Sequence, residues 1–106
     1  MTLATLDNVV ARVGDGCHTV SLTIDEDGLV VGSFGKVPWA GSEMAADVVS
    51  DGCEIRMLGA AGIDSHYFVP ASSFASFGGG RVMTTFVALL RRAAVAAGAR
   101  VAHPAA

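Results

Sequence analysis

The stretch from Arg81 to Ala97 constrains this chain more than any other. Spaced 100° apart, Val82, Met83, Phe86, Val87, Leu89, Leu90, Ala93, Ala94 and Ala97 fall on one broad apolar arc. Arg81, Thr84, Thr85, Ala88, Arg91, Arg92 and Val95 take the narrower remainder. Gly98 stands where such a helix ends, and Arg100 lies near its negative C-terminal end. A helix with so wide an apolar side must be covered, so the preceding residues have to supply a surface for it.

Strands supply that surface. His18 to Ile24 alternates strictly, with Val20, Leu22 and Ile24 on one face and Thr19, Ser21 and Thr23 on the other. Asp25-Glu26-Asp27-Gly28 has turn chemistry, and Leu29 to Phe34 returns as the second strand of a hairpin. Cys53, Ile55 and Met57 alternate with Glu54 and Arg56; Gly59 to Gly62 turns, and Ser65 to Val69 completes a second hairpin before Pro70. Two further segments read as helices. Leu6, Val9, Val10 and Val13 have i, i+3, i+4, i+7 spacing behind Thr5 as N-cap. Ser42 can cap a short helix to about Ser50, with Met44/Val48 and Ala45/Val49 as i, i+4 pairs. The expected fold is α+β. It has a small antiparallel sheet of about four strands in two hairpins, the C-terminal helix on one face, and the order α-β-β-α-β-β-α. Residues 1–101 form one domain and 102–106 a disordered tail.

Composition adds a demand. Apolar residues make up 52% of the 106 and charged residues 16%. A single small domain has trouble covering that much apolar surface, which predicts a homo-oligomer. The charges are also unevenly placed. All ten carboxylates lie between Asp7 and Asp64, against Arg12, Lys36 and Arg56; residues 65–106 carry Arg81, Arg91, Arg92 and Arg100 and no acid. The two halves can neutralise each other within a subunit, across a dimer, or by holding an anionic partner. A net charge of −3 counts against nucleic acid as a partner. No run of 18 apolar residues occurs, and Asp7 and Asn8 interrupt the N-terminus where a signal peptide needs an apolar core, which predicts a cytoplasmic protein with no membrane partner. Cys17 and Cys53 are expected as free thiols. Abundant Ala, Gly and Val with arginine favoured over lysine suggest a GC-rich bacterial source.

No motif points to catalysis, metal or cofactor. Cys17-His18 with Cys53 and His66 lacks the short ligand spacing of a zinc site. Asp64-Ser65-His66 has the letters of a hydrolase triad, but consecutive residues cannot converge as a triad does. Gly35-Lys36 lacks the rest of a phosphate loop. Gly78-Gly79-Gly80-Arg81 before a helix suits a flexible hinge better than an anion site. Trp39, the single tryptophan, sits in a Gly- and Pro-containing loop, and Phe74 and Phe77 lie among small residues. Interfaces draw on such anchors; the alternative for Trp39 is an indole folded back over the sheet as a lid.

The expected function is a non-enzymatic protein-binding module (a regulator, inhibitor or adaptor) that contacts an unidentified protein through Trp39, Phe74, Phe77, Arg81, Arg91 and Arg92. The rival readings are a small enzyme or enzyme subunit with a pocket using His66, Tyr67, Cys17 or Arg81, and anion or nucleic-acid binding through the C-terminal arginines.

Overall fold

The computed structural model describes residues 2–13, 16–32, 35–59, 62, 64–77 and 80–101. Among the described residues eight strands run in chain order: β1 (Thr2–Val13), β2 (Gly16–Asp25), β3 (Gly28–Val31), β4 (Gly35–Pro38), β5 (Glu43–Val49), β6 (Gly52–Leu58), β7 (Asp64–Pro70) and β8 (Arg100–Val101). A 3-10 helix, Ala71–Phe77, and one α-helix, α1 (Gly80–Ala96), lie between β7 and β8. All the strands belong to one sheet, ordered β4-β3-β2-β1-β7-β6-β5-β8, antiparallel except where β8 joins β5.

This corrects the expected architecture. The sheet has eight strands rather than about four, and the order α-β-β-α-β-β-α fails at both early helices. Residues 2–13 form β1 because the chain carries a bulge. Leu6 faces Leu22 and Val9 faces Val20, so Asp7 and Asn8 together oppose Ser21. Asn8 takes φ 61°, which a short polar side chain tolerates at such a site. The extra residue turns the inward step from two residues into three, and a strand then imitates helical spacing. Residues 43–49 form β5 because an i, i+4 pair lies on one face of a strand as well as of a helix. Met44 and Ala46 are buried in alternation with partly or fully exposed neighbours.

The sheet cannot be flat. β4 and β5 are six strand spacings apart, about 29 Å at roughly 4.8 Å per spacing. Trp39–Ser42, the segment joining them, spans at most about 18 Å when fully extended. The sheet therefore curls, with its strands following chain order round the curl from β1 to β7 and β7 pairing back to β1. Its concave face holds Leu6, Val9, Ala11, Leu22, Ile24, Leu29, Ile55, Met57, Tyr67 and Val69, all buried. Against this face α1 buries Phe86, Val87, Leu90, Ala93 and Ala94. It packs mainly on β5, and also on the 3-10 helix, β8 and β6. Gly98, at φ 95°, ends the helix; Ala99 N–H then bonds Ala94 O at 2.9 Å, and Arg100 N–H reaches Ser42 O at 2.9 Å. No helix among the described residues is long and apolar enough to cross a membrane. The expected tail, 102–106, lies outside the described residues.

Candidate functional site

The off-centre seat of α1 opens a groove beside β1. The 3-10 helix is fastened to the bulge: Ser73 Oγ donates to Asp7 O at 2.8 Å, while Asp7 Oδ1 accepts from Ser21 Oγ at 2.9 Å. That attachment sets Phe74 against Phe86 of α1, ring centroids 5.3 Å apart and tilted 58°. Between this aromatic pair and the first half of β1 lies an open cavity of about 280 Å³. Leu6, Phe74 and Phe86 are its buried residues; Ala4, Val82 and Leu89 line it half-buried, and Thr5 and Thr85 stand exposed. The groove is apolar and bounded by hydroxyls. Its described lining is six apolar side chains and two threonine hydroxyls, a surface suited to holding hydrocarbon.

The residues singled out from sequence do not gather at one place. Trp39 is fully buried, its Nε1 donating to Asp25 O at 2.9 Å and its backbone N–H to Asp27 O at 3.1 Å. Phe74 is buried too, but it forms part of the groove. Phe77 ends the 3-10 helix and Arg81 falls in the first turn of α1; their side chains lie outside the described part. Arg91 turns inward, donating to Ala46 O at 2.5 Å and to Asp47 Oδ1 at 3.1 Å, with its Nε buried and unpartnered. Arg92 is exposed on the outer side of α1. Leu6, Val82, Thr85 and Leu89 escaped the sequence reading as a site. The helical arc contains two of them, but nothing in the chain tells which part of an arc stays uncovered.

The enzyme candidates separate onto the two faces of the sheet. Tyr67 points into the core and donates to Ser65 Oγ at 2.9 Å; burial raises its pKa, and that hydrogen bond opposes the rise. His66, its neighbour on β7, takes the opposite face, where the register sets it between Arg56 and Arg12. Cys17 is exposed, next to Arg12 in the register. Cys53 is buried on β6, and burial pushes its thiol up to about 11, away from the reactive thiolate. A second recess, about 240 Å³, has Arg56, Glu43 and Asp64 among its lining. Among the described residues no three of His, Cys, Asp and Glu cluster so as to hold a metal ion.

Ion pairs cross the sequence's charge divide. Arg91 pairs with Asp47 and Arg100 with Glu43, at 3.1 and 3.7 Å, while Lys36 bonds Asp27 and stands 3.5 Å from Asp25. Lys36 holds the Asp27 carboxyl below its ordinary range, and Asp27 raises the Lys36 ammonium in return. No protein-family model matches this chain, and no curated protein or solved structure is significantly similar to it.

Proposed function

We propose that this chain is a non-enzymatic protein-binding module that receives apolar side chains of its partner in the groove between β1 and α1. The observation that carries this reading is the groove itself: about 280 Å³, apolar, and open beside a helix whose exposed side includes Arg92. That volume is near the lower end of small-ligand pockets and suits one or two anchoring side chains. The apolar character of the described lining, six apolar side chains and two threonines, supports binding. The enzyme reading has less behind it, since Tyr67 and His66 point to opposite faces of β7. Anion binding by the last arginines has less as well, since Arg91 and Arg100 already pair with acids of β5.

Self-association belongs to the same reading. Val48, Leu58 and Val95 remain exposed as large apolar side chains. Sedimentation equilibrium at tens of micromolar should find a dimer or larger species; a monomer there removes self-association from the proposal.

The test is a plugged groove. Thr85 is exposed on the groove's margin, so Thr85→Trp can fill the opening without removing a core contact. Random 12-residue peptides displayed on phage should be enriched on the unaltered protein for apolar anchors, and those peptides should lose at least about tenfold in affinity on the T85W variant, about 1.4 kcal/mol. Peptides that bind both proteins equally would refute the groove as the docking site.

A further inference from the structure

We infer that the segment held in this groove is an extended strand that adds to the edge of β1 along Ala4–Leu6. The inference rests on the groove being the docking site, and it goes further by naming the backbone shape and chemistry of the occupant.

The sheet register carries it. β7 pairs with β1 at Val10, Ala11, Arg12 and Val13. The first half of β1, by contrast, pairs among the described residues with β2 and no other strand, through Thr2, Ala4, Thr5 and Leu6. The bulge at Asp7 and Asn8 is where β1 parts from β7, and the 3-10 helix tied to Asp7 O takes over beyond it. Ala4 to Leu6 thus have a strand on one side and, on the other, the groove with Val82, Thr85, Phe86 and Leu89 across it. A strand edge facing an apolar trough provides both elements of strand addition: backbone groups for the ladder, and a recess for every second side chain.

The edges at β4 and β5 are obstructed. β4 carries Lys36 and Pro38, two residues that obstruct edge pairing. β5 is joined by β8 at Glu43 and Met44, and just beyond them Arg91 occupies the Ala46 carbonyl. Thr2-Leu3-Ala4-Thr5-Leu6 has no charge and no proline. A strand with no obstructing residue and, among the described residues, no partner on one side is a template for another chain. The occupant is therefore a short uncharged segment, β-branched or apolar at alternate positions, with no proline where it meets Thr5.

N-methylation of single peptide amides tests this directly. The probe is the blocked peptide acetyl-Lys-Thr-Val-Thr-Leu-Thr-Lys-amide, titrated into the full chain and followed by heteronuclear NMR. In an added strand, alternate amides face β1. Methylating an amide of one parity should weaken binding at least about tenfold, and methylating its neighbour less than about threefold, because the second amide faces away from the ladder. Equal losses at both parities would overturn strand addition, and so would the lack of saturable binding up to about 1 mM. Parity-independent binding that T85W still abolishes would overturn strand addition and leave the groove reading standing. Binding that T85W leaves intact would refute both.

Discussion

Trp39 lies in the connector that draws β4 and β5 together, and its indole is wholly enclosed, with its N–H satisfied by Asp25 O. A lone tryptophan in a loop suggests a surface anchor, but the curl of the sheet turns this loop inward. Trp39→Ala should cost about 3–5 kcal/mol in urea unfolding, the range for a truncated core aromatic. A loss below about 1 kcal/mol would mean that the indole is not packed as described. Cys53 gives a pH signature. Its thiol titrates near 11 in the fold against an ordinary value of 9.0. Raising the pH through this window ionises the thiol first in the unfolded chain, so stability is fully present below about 9 and falls between about 9 and 11. The shift corresponds to about 2–3 kcal/mol. Unfolding curves at several pH values should show this fall, and Cys53→Ala should remove most of it. Tyr67, raised by burial, adds a loss of the same sign at higher pH, which is why the comparison with Cys53→Ala is needed.

Among the elements, α1 was the most legible. Every apolar position placed on its arc is buried or half-buried, and Thr84, Thr85, Ala88, Arg92 and Val95 are exposed. The strands from His18 and from Cys53 were legible for the same reason, an unbroken period. β1 was not, because its bulge inserts one residue, so that Val9 follows Leu6 inward after three residues and the spacing imitates a helix. β5 was not, because pairs four residues apart fit either periodicity. The groove was hidden with them: Phe74 could be picked out as an aromatic anchor, but Leu6 was assigned to a helix, and the gap beside it depends on where α1 sits. Arg91 and Arg92, adjacent and alike in sequence, differ in the fold. Arg91 satisfies Ala46 O and Asp47, so Arg91→Met, which keeps the apolar stem, should cost about 1–3 kcal/mol. Arg92→Met should stay within about 0.5 kcal/mol, as for an exposed side chain. Equal effects in denaturant titrations would contradict the inward placement of Arg91.

At the scale of the whole molecule, the excess of apolar residues is largely absorbed by curvature. Once the sheet wraps far enough for four residues to join β4 to β5, its concave face, α1 and the 3-10 helix share one core. The charge divide is partly closed inside the same chain, where Arg91 and Arg100 meet acids of β5. The fold leaves open an apolar slot between the first half of β1 and α1, and the functional account depends on it. Methyl-resolved NMR of the protein titrated with the threonine-rich peptide described above tests that claim most directly. The account predicts the largest saturable shifts at the methyls of Leu6, Val82 and Leu89, with Val10, Val30 and Val49 on the outer face of the sheet unmoved. Shifts centred on Val10 and Val49, with Leu6 and Leu89 silent, would contradict it.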